Sequence, residues 1–240
     1  MHIFSYRGED YAVIGTIAKP IEEVMSYLEG KDNLLVIGCG GCAKAIHSGG
    51  EAEVAKMVAE LEKRGKKVIA SGTPERTCYI QHTRSFLEPR MQELKECGAI
   101  VVMGCGGAVQ IVRQATEEYG LLKHVISSLN SIGHFDTVVP GTEFIEQCLE
   151  CGDCLLNQTG AICPVTKCAK GLLNGPCGGS RDGKCEVNPD RDCAWYLIYR
   201  RLQALGQLEK MHQYQPPKDY SKMTRPRRAV YNEQTGTVLA

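Results

Sequence analysis

Leu34-Leu35-Val36-Ile37-Gly38-Cys39-Gly40-Gly41-Cys42 is an apolar run of strand length that passes directly into a glycine-rich turn. The same junction recurs further on, where Ala99-Ile100-Val101-Val102-Met103 leads into Gly104-Cys105-Gly106-Gly107-Ala108. A continuous aliphatic run without polar alternation is the mark of a strand buried on both faces, as in a parallel sheet covered by helices. Val68 to Ala70 is a third run of this kind, entering Ser71-Gly72-Thr73-Pro74. The intervals between these runs carry helical stripes. Val54, Met57, Val58 and Leu61 repeat at i, i+3, i+4, i+7; Leu87, Met91 and Leu94 follow the same spacing; Ala108, Ile111, Val112, Ala115 and Tyr119 extend it over three turns. Strands alternating with amphipathic helices predict an α/β domain with a parallel sheet, Rossmann-like or flavodoxin-like, over residues 1–141. Ser127 to Pro140 has mixed polarity and no period, and no element is assigned to it.

In a parallel sheet the carboxyl ends of the strands share one edge, and ligands bind there. Cys39, Cys42, Cys78 and Cys105 all follow strand ends, so the topology predicts that they meet at that edge. Gly38, Gly40 and Gly41, with Gly104, Gly106 and Gly107, would let backbone N–H groups approach an anionic centre and place thiolates near helix N-termini. Gly38-x-Gly40-x-x-Ala43 also reads as part of a dinucleotide fingerprint. The acidic residue that would hold a ribose is missing, because the following strand ends in Ile69-Ala70-Ser71-Gly72. A redox pair at Cys39-x2-Cys42 is a further alternative, but it leaves Cys78 and Cys105 unexplained. Cys97, before the third strand, reads as a small packed core residue.

Residues 142–212 are different in kind. Cys148, Cys151, Cys154, Cys163, Cys168, Cys177, Cys185 and Cys193 fall in a stretch with almost no continuous apolar run, which must be held by cross-links or metal. Cys148-x2-Cys151-x2-Cys154 with a later Cys163-Pro164 resembles the ferredoxin arrangement for a [4Fe-4S] cluster, although ferredoxins put only three residues before the last cysteine. Cys163-x4-Cys168, Cys177-x7-Cys185 and Cys185-x7-Cys193 suit iron–sulfur or zinc equally. Apart from Cys97, twelve of the thirteen cysteines remain, enough for three sites of four thiolates. The three-cysteine run and the sheet-edge set favour roughly two to three [4Fe-4S] clusters, with zinc possible in place of one or more. From Cys193 a helix is predicted to about Met211, with Ala194, Leu197, Ile198, Leu202, Leu205 and Leu208 on one face. Residues 213–240 read as an extended Pro-rich, basic tail that is either solvated or laid on a partner.

Composition narrows the function. Lys+Arg and Asp+Glu balance at 28 each, leaving no positive excess for a nucleic-acid backbone. The first ten residues have neither the basic start nor the apolar core of a secretory leader, and no apolar run reaches bilayer length. A cytoplasmic protein without membrane or nucleic-acid partners is expected. In that reducing compartment thirteen cysteines point to metal rather than disulfides. His47, His82, His124 and His134 have no nucleophile or carboxylate at a telling spacing, so no catalytic residue is assigned.

Cys163-Pro-Val-Thr-Lys-Cys168-Ala-Lys-Gly-Leu-Leu-Asn-Gly-Pro-Cys177-Gly-Gly, then Gly183-Lys-Cys185-Glu-Val-Asn and Cys193-Ala-Trp195, resembles the cysteine-rich C-terminal domain associated with methylenetetrahydrofolate reductase. With the Gly-Cys-Gly-Gly-Cys start, the whole chain is similar to the small accessory V subunits that pair with a flavin-bearing catalytic subunit in acetogenic bacteria. In that family the catalytic partner is a TIM barrel of roughly 250 residues, for which this chain is too short. The resemblance implies a non-catalytic electron-transfer subunit whose clusters pass electrons to or from the partner's flavin, in one-carbon metabolism of the Wood-Ljungdahl type. An upstream electron-donor subunit is a further implied partner. Family members described as zinc-containing keep a second role open, that of a zinc-stabilised interaction subunit. A dinucleotide-binding oxidoreductase is the third.

Overall fold

The computed structural model describes residues 13–139, 143–223, 225, 230–232 and 237–239. The first ten residues, which read as lacking a secretory leader, and most of the Arg225 to Arg228 segment lie outside them. The chain divides into two compact units, residues 1–146 and 147–240.

The first unit opens with β1 (Val13–Ala18) and α1 (Ile21–Tyr27), then β2 (Asn33–Ile37), the short α2 (Cys42–Ala45) and α3 (Glu51–Lys63). It continues through β3 (Lys67–Gly72), α4 (Ile80–Leu87), α5 (Met91–Glu96), β4 (Ala99–Val102), α6 (Gly106–Glu118) and β5 (His124–Ser127). The four strands β3-β2-β4-β5 pair in parallel, with Ile37 in register with both Gly72 and Val102. The apolar runs are central because both of their faces are covered. Leu34, Val36, Ala99 and Val101 pack with Val54 and Leu61 of α3 and Val24 of α1. Leu35, Ile37, Ile100 and Val102 face the opposite way, onto Leu87, Leu94, Ala108, Val112 and Ala115 of α4 to α6. All eight strand residues are fully buried. Burial of each large aliphatic side chain contributes about 1.5–3 kcal/mol before the entropy of ordering is set against it. Cys97 is buried in the second layer, its thiol directed at Leu94 O at 3.2 Å.

Two expectations change. The Leu87, Met91, Leu94 stripe is not one helix: Pro89 lies in a 3₁₀ turn, Glu88–Arg90, that divides α4 from α5. Its ring fixes φ and removes an N–H that a continuous helix would use. The segment left without an element contains the whole of β6 (Leu129–Val139), which pairs antiparallel with β1 on one side and with β7 (Glu143–Ile145) on the other. A register shift between Gly15 and Thr16 breaks its alternation, and the Phe135 ring lies over Gly15, where a Cβ would come within 2.3 Å of it.

The second unit has little regular structure: α7 (Pro164–Lys167), α8 (Ala194–Ala204), 3₁₀ turns at Leu208–His212 and Tyr220–Met223, and the strand pair β8 (Val230–Asn232) with β9 (Thr237–Leu239). Its small core is Trp195, Ile198 and Leu202 of α8, joined by Ile162, Leu172, Leu208 and Met211. Trp195 Nε1 donates to Leu172 O at 3.0 Å, fixing the loop between the cysteines. The predicted helix to Met211 ends early. Gly206 takes φ +65°, and Gln207 N donates back to Leu202 O, after which the apolar stripe continues only as a 3₁₀ turn. The start of the tail is held within this unit: Asn174 and Gln215 exchange hydrogen bonds of 2.9 and 2.7 Å.

Candidate metal centres

Strand order decides where the first set of cysteines lies. From β2 the chain crosses one face through α3 to β3, then returns over the other face through α4 and α5 to β4, passing β2. The connections therefore diverge between β2 and β4, the switch point at which open α/β sheets bind ligands. Cys39 and Cys105 stand just beyond those two strands, Cys42 opens α2, and Cys78 lies in the loop after β3.

The loops reach this position through close backbone packing. Gly38 N donates to Gly72 O, Cys39 N to Gly49 O and Gly40 N to Pro74 O, each at 2.8 Å. Thr77 Oγ1, fully buried, donates to Gly38 O at 2.6 Å and ties the Cys78 loop to the Cys39 turn. A Cβ on Gly38 would lie 2.5 Å from Gly49 O, and one on Gly49 only 2.1 Å from Met103 O, so both positions require glycine. The N–H groups of Gly38 and Gly40, which a pyrophosphate would need, are thus engaged with the chain itself. Gly106 N donates to Ser131 Oγ at 3.0 Å. Gly104 allows the turn to close on Ala108, whose Cβ would be 2.7 Å from an added side chain.

The other three thiols of the set act on Cys78. Burial pushes the Cys78 thiol up to about 11, and the neighbouring charges of Cys39, Cys105 and Cys42 push it in the same direction. Cys39 is buried and the other three are partly buried. Gly41 and Gly107 leave space directly against the sulfurs: their missing side chains would stand 3.7 Å from Cys39 Sγ and 3.6 Å from Cys105 Sγ. Four soft donors gathered near one sheet edge, with three of them opposing the ionisation of Cys78, are a donor set that a cation would stabilise. As placed, among the described residues, no three or more His, Cys, Asp or Glu side chains close into a metal-binding group. The sheet-edge thiols converge without forming a coordination shell, and their kind, number and glycine-lined surroundings fit a thiolate-bound centre.

Four of the eight later cysteines share one place. Cys168, Cys177, Cys185 and Cys193 line one small cavity floored by Ala194 and Trp195. Cys185 N bonds Arg191 O and Cys193 N bonds Gly183 O at 2.9 and 2.7 Å, folding the 183–193 loop so that its two cysteines face the same cavity. Backbone N–H groups of Asn188 and Val187 hold the Cys185 thiol below its ordinary value. Cys177 Sγ donates to Glu186 Oε2 at 3.3 Å, and Lys170 pairs with the other oxygen of that carboxylate at 2.8 Å.

Cys148, Cys151, Cys154 and Cys163 are the other four. Thr166 Oγ1 of α7 donates to Gln147 O at 2.9 Å, and Cys163 caps α7, so the start of the three-cysteine run is tied to the helix that follows the fourth. The run turns through left-handed Glu150 (φ 52°) and Gly152 (φ 73°), and Glu150 N donates to Cys148 Sγ at 3.3 Å. Sequence patterns gave no sign of Lys170, Glu186, Thr166 or Ser131 near these thiols, because each acts through a contact between loops. Only the position of Glu186 beside Cys185 offered a local hint.

No helix among the described residues is long and apolar enough to cross a membrane. No curated protein and no solved structure matches the chain. Residues 132–221, which include all eight later cysteines, match the family model described as methylene-tetrahydrofolate reductase C terminal.

Proposed function

We propose that this chain is an electron-transfer accessory subunit of a methylenetetrahydrofolate reductase complex, exchanging electrons with the flavin of a catalytic partner subunit. The reading is carried by one observation above others: three parallel strand ends bring Cys39, Cys42 and Cys105 close enough to Cys78 to act on it, at the edge where such sheets bind ligands. The match of residues 132–221 to a reductase C-terminal family supports the choice of partner. The cavity shared by Cys168, Cys177, Cys185 and Cys193 supports a second centre of four thiolates, and Cys148, Cys151, Cys154 and Cys163 are assigned to a third, with the Thr166 bond to Gln147 O tying the start of their run to the helix after Cys163.

Bound iron–sulfur clusters would supply one-electron transfer. The protein's own part is to hold and tune them. Cys39, Cys42, Cys78 and Cys105 would ligate from a partly buried edge, with Gly41 and Gly107 leaving room beside the sulfurs. Glu150 N–H, directed at Cys148 Sγ, and the Val187 and Asn188 N–H groups at Cys185 would stabilise negative charge on sulfur, which raises a centre's potential. No proton donor or nucleophile is required of the chain. Zinc is the second reading for the Cys168 set, since loop-borne cysteines packed against Trp195 resemble a structural clip.

Anaerobic purification tests the proposal. A brown protein with visible sulfur-to-iron absorption is expected, and Cys105→Ala should remove one centre's iron while the later cysteines keep theirs. A colourless preparation holding only zinc after anaerobic reconstitution would leave the interaction-subunit role in its place.

A further inference from the structure

Lys218 is a lysine buried where a charged side chain has little reason to be. Its side chain is 2% exposed, in a segment that reads in sequence as a solvated Pro-rich tail. An ammonium group has three donors, and removing it from water is costly unless opposite charge compensates. Among the described residues Lys218 Nζ has two partners, both on one residue: it donates to Asp153 O and stands 3.9 Å from Asp153 Oδ2. Asp153 lies between Cys151 and Cys154, and Cys151 Sγ is directed at the same Asp153 carbonyl oxygen at 3.8 Å. The buried cation and the thiol thus converge on one acceptor. Further contacts of the same segment hold it against this loop: Lys222 Cβ covers Gly152, where an added Cβ would come within 3.0 Å, and Arg225 pairs with Glu150 at 3.4 Å.

We propose that Lys218 is a positioning residue for the Cys148, Cys151, Cys154, Cys163 centre, a fixed positive charge under the three-cysteine loop that offsets the charge of its thiolates and strengthens their hold on metal. The inference rests on the reading of these four cysteines as ligands, and it applies whether the metal is iron–sulfur or zinc. Four thiolates bring more negative charge than either centre neutralises, so a buried ammonium beside them is compensated by the site it serves.

The test uses the full chain, reduced, loaded with Zn²⁺ or reconstituted with iron and sulfide, and challenged with increasing chelator. Metal protection is read cysteine by cysteine from alkylation and peptide mapping. In K218M, which keeps the aliphatic stem, Cys148, Cys151, Cys154 and Cys163 should lose protection at roughly tenfold to a hundredfold lower chelator, the range for residues that support ligands. Cys168, Cys177, Cys185 and Cys193 should be unchanged, and K218R should restore protection at least in part. Trp195 fluorescence checks folding, and K218Q replaces K218M if that variant does not fold. Unchanged protection in K218M, equal losses in Met and Arg variants, or a joint loss at all eight cysteines would overturn the proposal, as would a wild-type loop that neither metal protects. If the wild-type loop takes zinc but no iron–sulfur centre, the electron-transfer reading fails there, while the zinc shift still decides the role of Lys218.

Discussion

The two units reach order by different means. Residues 34–37 and 99–102 are aliphatic and buried on both faces, so the first unit has a core that needs no cross-link, and its four thiols lie at the margin of an already stable sheet. The second unit has one short buried stripe, Trp195, Ile198 and Leu202, to organise a long loop region that carries eight cysteines. A cysteine cluster on a self-sufficient sheet can be lost with little effect on the fold. One in a region almost without a core is part of the fold itself.

The largest effect expected from this contrast is that of metal removal. Strong chelation of reduced protein should unfold the second unit, since structural thiolate sites contribute on the order of 10 kcal/mol. The protein's one tryptophan, Trp195, reports on that unit alone. Its emission should shift to the red while amides of residues 34–37 and 99–102 stay protected from hydrogen exchange; simultaneous loss would abolish the distinction. Next is Ile100→Ala, which empties a fully buried site and should cost about 2–5 kcal/mol. That loss should appear in the far-ultraviolet denaturation of the sheet and leave the Trp195 transition in place. Trp195→Phe is smaller. It keeps much of the ring's packing but abandons Leu172 O, so it should cost about 1–3 kcal/mol, detected as faster amide exchange along α8 with β2 and β4 unaffected.

The smallest effect is a pH dependence of the metal-free first unit. The Cys78 thiol ordinarily titrates at 9.0 and is pushed up to about 11 by burial and by its cysteine neighbours. Between those values the unfolded chain has lost a proton that the folded chain keeps. Its contribution is therefore fully present below about pH 9 and is lost as pH rises through 11. Cys78→Ser should flatten the alkaline limb of the stability curve measured by denaturant midpoints.

The same contrast explains what the sequence disclosed. Strands buried on both faces are continuous aliphatic runs, so β2, β3 and β4 were legible, and parallel pairing then placed Cys39, Cys78 and Cys105 at one edge. β6 was not legible, because Gly133 and a register shift interrupt its alternation and its partner β1 lies at the other end of the unit. The end of α8 depended on the left-handed Gly206, which the apolar stripe through Leu208 concealed. In the cysteine-rich unit spacing alone could not divide eight thiols. The shared cavity of the Cys168 set depends on contacts between loops, such as the 183–193 fold, that no local pattern carries. Lys218 was hidden for the same reason: nothing in Pro217-Lys218-Asp219 separates a buried lysine from a solvated one.

Quantifying iron, acid-labile sulfide and zinc in the anaerobically prepared 240-residue chain tests whether these cysteines hold redox-active metal in sets of four. Iron and sulfide in near-equal amounts are expected, corresponding to roughly two to three [4Fe-4S] centres per chain, with zinc at most in one remaining site. Absence of both iron and sulfide after anaerobic reconstitution would contradict that expectation.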